Sequence, residues 1–442
     1  MSVPDHRTMD HVAEMTLATL DSFVETQQLA NVGFRLWEGT RWPDLDDRPA
    51  TIVLNHPGAL RAMFMPGTEM GMAEAYLYDD FDVEGDIEAV FALAEELQLV
   101  FSDRRKRAKI ARDLLRLPKS RRTRETRRGP ARLHGRRHSI DRDRQAIAYH
   151  YDVSNEFYEL WLDRRMVYSS GYFHAAQDSL DQAQEHKLEH ICRKLRLRAG
   201  QRLLDIGCGW GGLVIFAAQR YGVEALGITL SKPQADLACR RIAEAGLANQ
   251  ARVEVRDYRD LEPSRPYDAV ASVGMFEHVG EAMLGTYFRR VADLLKPAGS
   301  FLNHGIARRA TDEPAGRSTF SNTYVFPDGE LEPISMTLRA AEHAGFEVRD
   351  VESLREHYAM TLRRWVRRLE AHHGEALNYV DEPTYRVWRL FMSGSAYGFS
   401  QGSLNVYQSL LVKPDKAGRS GLPLTRADLY SPRADAVEPT AT

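Results

Sequence analysis

The chain has 442 residues, 43% hydrophobic and 27% charged, with a formal net charge of −3; that length predicts two or three domains and ample chain for a core. No apolar run approaches the length of a membrane span, and Met1 to Arg7 has neither the basic start nor the apolar middle of a signal peptide, so a membrane-spanning or secreted protein is not expected. The three cysteines, Cys192, Cys208 and Cys239, have no disulfide-framework or metal-type spacing and fit a reducing cytoplasm.

Residues 1–102 read as a small α+β module. Met9 to Gln28 has helical spacing, Gly33 to Trp37 and Ala50 to Asn55 read as short strands, and Ile87 to Phe101 as a helix. No nucleophile and base are paired there, so the module is expected to bind or dock. Residues 103–144 hold eighteen Lys and Arg against five acids, whereas the residues before them hold about twenty acids against five bases. Arg104 to Leu117 spaces Ala108, Ile110, Ala111, Leu114, Leu115 and Leu117 as one face of a basic helix ended by Pro118. Such a helix suits a membrane interface. Ser120 to Ser139, rich in Arg with Gly and Pro, reads as a flexible connection. Charge alone leaves a solvated linker, a lipid-binding segment and a nucleic-acid-binding segment all open; each Lys or Arg at an anionic bilayer contributes about 1 kcal/mol.

From 145 to 414 strands alternate with helices. The stretch opens with two aromatic runs, Ala148 to Leu162 and Met166 to Phe173, which serve a core or shape an apolar slot, and a helix follows over Asp181 to Leu195. Within it, His186 and His190 match a metalloprotease pattern with both imidazoles on one face, but no third ligand accompanies them and no metal is expected. Arg202 to Ile206 is an apolar strand that breaks into Gly207, Gly209, Gly211 and Gly212. Glycines there allow a tight turn and let the backbone approach a ligand. The spacing of 207, 209 and 212 satisfies a dinucleotide fingerprint, but Asp205 at the strand tip suits an amino group and a sulfonium and would repel a pyrophosphate. The next strand, Glu224 to Thr229, ends without the acid that an NAD ribose meets. S-adenosylmethionine therefore fits better than NAD, and a plain strand-to-helix turn is the structural alternative. Strands at 223–229, 251–256, 267–273 and 300–306, with helices at 213–221, 232–246 and 282–295, give a doubly wound α/β pattern whose ligands collect at the carboxyl ends of the strands. Those ends carry Asp205, Thr229, Asp257, Tyr258, Gly274 to His278 and His304. Helices around 335–344, 358–371 and 383–396 follow. A last strand at 403–412 is expected to close the sheet, and 415–442 reads as a disordered tail.

Six stretches, His150 to Phe157, Leu204 to Gly212, Gly227 to Gln234, Asp257 to Leu261, Ser272 to Gly280 and Tyr324 to Gly329, make the chain resemble the cyclopropane-fatty-acyl-phospholipid synthases from about Ala148 to Val412. A weaker match covers Gly71 to Asp86. The resemblance implies a Rossmann-like class I methyltransferase domain over 145–414, with the smaller N-terminal α+β domain handling lipid and the basic 103–144 segment meeting an anionic membrane surface. It implies transfer of a methyl group from S-adenosylmethionine to the double bond of an unsaturated acyl chain in a phospholipid. A carbocation results, which needs a dry slot with aromatic faces and a base that removes a proton. Ring closure gives a cyclopropane; loss of a neighbouring proton gives a methylene branch.

By the same resemblance the base is a bound bicarbonate held by Glu277, His304, the backbone of Ile306, and Tyr358. Cofactor contacts carried over are Tyr168, Ser169, Asp205, Gly207, Cys208, Gly209, Thr229, Gln234, Asp257 and Tyr258. Ser170 stands where the family usually has a Cys; a hydroxyl can also bond to bicarbonate, so Ser170 joins the catalytic set, and the exchange bears on the proton-removal step and hence on the product. Three other readings stay open: a methylene- or methyl-branched product, a methyltransferase for a soluble small molecule, and a catalytically lapsed lipid-binding protein. The expected setting is cytoplasmic, peripheral on the inner face of the membrane, without nucleic acid. The sequence admits a homo-oligomer.

Overall fold

The computed structural model describes residues 6–23, 31–44, 48–65, 67–120, 125–126, 129–151, 153–262, 264–314 and 319–430. The chain divides into two units, one of residues 1–133, 315–328 and 362–401 and one of 134–314, 329–361 and 402–442. This differs from boundaries at 102 and 144. The basic helix belongs to the first unit, and two later stretches return to it because their apolar faces complete its core.

In the first unit, β1 (Val32–Arg35), β2 (Arg41–Trp42), β3 (Ala50–Leu54) and β4 (Phe81–Gly85) form a sheet in the order β2-β1-β3-β4, with β1 and β3 parallel and the other pairs antiparallel. Alternation along β3 buries Ala50, Ile52 and Leu54, the period-2 pattern of a strand with one face on a core. The core also takes Phe320, Tyr324, Val325 and Val387 from far along the chain. Helix Glu382–Gln401 brings in two buried arginines. Arg386 bonds to Asp79 and Asp82 at 3.1 and 3.0 Å and to the carbonyls of Tyr76 and Phe81 at 2.9 and 3.2 Å. Arg389 bonds to Glu370 and to the Tyr76 hydroxyl at 2.8 Å each. A planar guanidinium with several donors is suited to gathering carbonyls and carboxylates in this way.

The basic helix spans Arg104–Arg116. Asp103 caps it by accepting from the amides of Arg105 and Lys106 at 2.7 and 3.3 Å. Ile110, Leu114 and Leu117 are buried, and Arg61 holds the end by donating to the carbonyls of Leu115 and Leu117. The face carrying Arg104, Arg105, Lys106, Arg107 and Lys109 is exposed. Part of the expected flexible connection, 121–124 and 127–128, lies outside the described residues, as do 24–28 of the expected first helix and 431–442 of the expected tail.

The second unit is built on seven strands: β5 (Arg202–Ile206), β6 (Glu224–Thr229), β7 (Ala251–Val255), β8 (Tyr267–Val273), β9 (Leu295–Arg308), β10 (Glu347–Ser353) and β11 (Leu404–Val412), in the order β10-β11-β9-β8-β5-β6-β7. β5 to β9 pair in parallel, and β11 runs antiparallel to both neighbours. Helices cover the sheet, so the central strands are buried on both faces and read as apolar runs. The order reverses at β5 and β8, and the crevice outside their carboxyl ends is where such a sheet binds ligands.

Two expectations are corrected here. β11 does not close the sheet, because β10 pairs beyond it; the charged alternation of β10 hides a half-exposed edge strand. Residues 415–430 are ordered: Leu429 of the helix Ala427–Tyr430 is buried, and Arg196 grips Asp428 at 2.8 and 3.2 Å. One buried leucine and one forked ion pair suffice to dock a single turn.

Candidate active site

β5 ends at Ile206, and the chain turns into the helix Gly212–Tyr221. Gly207 has φ of 81°, and a Cβ there would lie 2.7 Å from Met275, so both the turn and the packing demand glycine. The amides of Gly207 and Cys208 donate to the Ile228 carbonyl at 2.9 and 3.0 Å, fixing the loop to β6. A cleft of about 540 Å³ opens beside it. Of the expected cofactor residues, Tyr168, Ser169, Asp205, Gly207, Cys208, Gly209 and Gln234 line this cleft.

Thr229, Asp257 and Tyr258 do not line it. Thr229 donates to Gln234 at 2.8 Å and acts on the cleft through that amide. The Asp257 carboxylate is held by Arg259 at 2.7 and 2.6 Å, and Tyr258 meets Tyr287 edge-on at 5.5 Å. Cys208 is buried, which pushes its thiol up and keeps it un-ionised.

Asp205 is 3% exposed, and its Oδ1 is buried without a hydrogen-bond partner among the described residues. Burial pushes its carboxyl up to about 7, with Lys187 pulling the other way. Such a carboxylate is poised to accept from a ligand's ammonium. One wall is aromatic: Tyr158 lies 4.9 Å from Trp210, Tyr168 meets Trp161 at 5.5 Å and stacks on His150 at 5.6 Å, and Tyr151 reaches Trp210 at 6.1 Å. Trp210 is fixed by donating to Asn155 at 2.7 Å. These faces suit a sulfonium.

The expected catalytic residues form a second group. Glu277, in the turn after β8, accepts from the Ile306 amide at 2.7 Å through Oε1, while its Oε2 is buried without a partner among the described residues. Burial pushes the Glu277 carboxyl up to about 7, and that amide opposes the shift. Burial, and after it the charge of Glu277, raises the phenols of Tyr151 and Tyr358, which places the three side chains near one another. Tyr151 lines the cofactor cleft and so joins the two groups.

His304 lies on β9, two residues before Ile306. Burial pushes it down to about 3, and its neutral ring meets Gln408 Nε2 through Nδ1 at 3.2 Å. The proton then sits on Nε2, which is buried without a partner among the described residues. A buried donor at His304 and a buried acceptor at Glu277 fit an oxyanion that keeps one proton, as hydrogen carbonate does. Ser170 is fully buried but donates to the Gly171 carbonyl at 2.9 Å, within its own loop.

Sequence reasoning passed over Gln408 and Lys187. A Gln in an apolar strand and a Lys on the buried face of a helix were the available signals. His190 instead meets Glu352 at 2.7 Å, and His186 stacks on His174 at 3.8 Å. No group of three metal-binding side chains is placed to hold an ion among the described residues.

The sheet order, the glycine turn and the acidic strand tip define a class I, S-adenosylmethionine-dependent methyltransferase. Residues 138–409 match the model of the mycolic acid cyclopropane synthetase family, and the chain belongs to that family. It is 42% identical to a protein of Pseudomonas putida named "Probable fatty acid methyltransferase", over 90% of this chain and 95% of the relative. A Mycobacterium tuberculosis protein of the same description is 38% identical over 86% and 90% of the two chains. Among solved structures, the cyclopropane synthase MmaA2 from Mycobacterium tuberculosis superposes with a TM-score of 0.58 at 32% identity, covering 61% of this chain and 97% of that one. The mycolic acid cyclopropane synthase CmaA1, complexed with SAH and CTAB, gives the same values.

Proposed function

We propose that the protein transfers a methyl group from S-adenosylmethionine to the double bond of an unsaturated fatty acyl chain in a phospholipid, with closure to a cyclopropane. The observations that carry this reading are Glu277 Oε2 and His304 Nε2, each buried and without a hydrogen-bond partner among the described residues, and a cleft whose loop and acid suit the cofactor. When bound, S-adenosylmethionine supplies an electrophilic methyl on a sulfonium, and hydrogen carbonate supplies a weak base. Asp205 orients the ammonium of the cofactor's amino-acid end. The faces of Tyr151, Tyr168 and Trp210 exclude water and favour positive charge. Glu277 accepts a proton at Oε2 and His304 donates from Nε2, so together they hold an oxyanion where a proton must leave. Gln408 keeps His304 in the tautomer that does so.

The exposed cations of Arg104–Arg116 support a peripheral site on an anionic, cytoplasmic membrane face. No helix among the described residues is long and apolar enough to cross a membrane. A methylene- or methyl-branched product is the second reading, favoured by Ser170, whose hydroxyl is engaged by Gly171. Mass spectrometry of acyl chains from cells expressing the protein and fed methyl-labelled methionine tests the proposal. One labelled carbon per modified chain is expected, and NMR of the product separates ring from branch. An unlabelled lipid pool, with cofactor binding intact, would leave a soluble substrate or a lapsed lipid-binding role instead.

A further inference from the structure

Among the described residues lining the cofactor cleft, two carry charge, Asp205 and Lys187. Lys187 is 1% exposed, on the inner face of the helix Leu180–Lys194. Its ammonium donates to Ser169 Oγ at 2.8 Å, and among the described residues it has no ion pair. The carboxylates of Asp163 and Asp205 act on it only from a distance, while burial pulls the ammonium down to about 7. One turn earlier, Gln184 donates to the Val167 and Ser169 carbonyls at 3.3 and 2.8 Å, holding the loop that Lys187 touches.

A fully buried ammonium satisfied by a single hydroxyl is costly unless something anionic reaches it. Asp205 Oδ1, on the same cleft, has no hydrogen-bond partner among the described residues. One unpaired cation and one unpaired anion, the two charged groups among the described lining residues, complement a ligand with a carboxylate and an ammonium on one carbon.

We propose that Lys187 recognises the α-carboxylate of the cofactor's amino-acid end, opposite Asp205, and makes the cleft selective for a ligand bearing both charges. The inference rests on the cofactor reading and assigns a specificity role to a residue outside the expected contacts. Ser169, within hydrogen-bond reach of the ammonium, fixes the direction from which it meets the carboxylate. Neutralising the lysine removes the partner of the carboxylate and also the charge that Lys187 exerts on Asp205; the second effect is common to both ligands, so the difference between them reports the carboxylate.

Titration calorimetry with S-adenosylmethionine and its decarboxylated analogue tests this, because the two differ in the carboxylate alone. The unaltered protein is expected to prefer the carboxylate-bearing ligand by about a hundredfold. Lys187→Met should abolish most of that preference, with affinity for the decarboxylated ligand within about threefold of the original, and Lys187→Arg should restore part of it. Equal weakening toward both ligands in Lys187→Met would show a structural role and overturn the proposal. A second measurement needs no variant: at pH 7, in buffers of different ionisation enthalpy, S-adenosylmethionine should draw more protons onto the protein than the analogue, because Lys187 gains a partner with only one of them. Equal proton counts would overturn it as well. Failure of the unaltered protein to bind either ligand would overturn the cofactor reading and this proposal together, whereas equal binding of both would overturn this proposal alone.

Discussion

Glu277 shows how one side chain carries both a stability and a rate signature. Folded, it keeps its proton up to about pH 7; unfolded, it releases it near the ordinary value of 4.5. Its contribution to stability is therefore fully present below about 4.5 and is lost as pH rises through 7. The melting temperature of the unaltered protein relative to Glu277→Gln should fall across that window, and a difference independent of pH would contradict the buried placement. The ionised form is the acceptor the site needs, so methyl transfer should rise through about pH 7, and Glu277→Gln should lose about a hundredfold in rate while still binding S-adenosylhomocysteine. Residue types flagged Glu277 and His304 as candidates at strand ends. The hydrogen bond from the Ile306 amide, 29 residues away, depends on how the turn after β8 folds over β9 and is not written in any local pattern.

At the scale of elements, the helices and strands with strong periodicity are legible in the sequence and those held by other elements are not. The apolar spacing of Arg104–Arg116 and the runs of β5 and β8 announce themselves. β10, with Glu, Arg and Asp alternating with Val, does not, because its stability comes from pairing with β11. The docked turn Ala427–Tyr430 is the same case. Truncation after Leu424 should cost about 2 kcal/mol, chiefly the burial of Leu429, and lower the melting temperature by a few degrees; an unchanged melt would mean that the turn contributes nothing. In the first unit, Arg386→Met leaves the carbonyls of Tyr76 and Phe81 without their donor and should cost about 3 kcal/mol in urea unfolding.

At the scale of the molecule, a formal charge of −3 conceals a strongly cationic segment. The helix that opens this segment buries Ile110 and Leu114 and leaves its arginines and lysines exposed, so the protein should sediment with vesicles of anionic lipid at low salt and be released as ionic strength rises. Replacing Arg105, Lys106 and Lys109 by Glu together should weaken binding by more than a hundredfold, at about 1 kcal/mol for each charge removed and more for reversal. Sedimentation that is indifferent to salt or to these substitutions would overturn a role for this helix at a membrane surface. The charge imbalance was plain from composition; that the apolar side of this helix is already taken by the fold was not.

What the sequence by itself determined is the chemistry-bearing local order: a strand, an acid and a glycine turn in succession, the alternation of strands and helices, and a motif set that places the chain in its family. These follow from short-range physics, in which period, turn conformation and residue type are fixed within a few positions. The tertiary structure decided what depends on distant partners. It brought residues 315–328 and 362–401 into the first unit, placed β11 inside the sheet, and set Lys187 and Asp205, from a helix and a strand tip, on one cleft. Burial and charge pairing arise only when elements far apart in the chain close on one another, and they set the pKa values and the unpaired groups from which function is read.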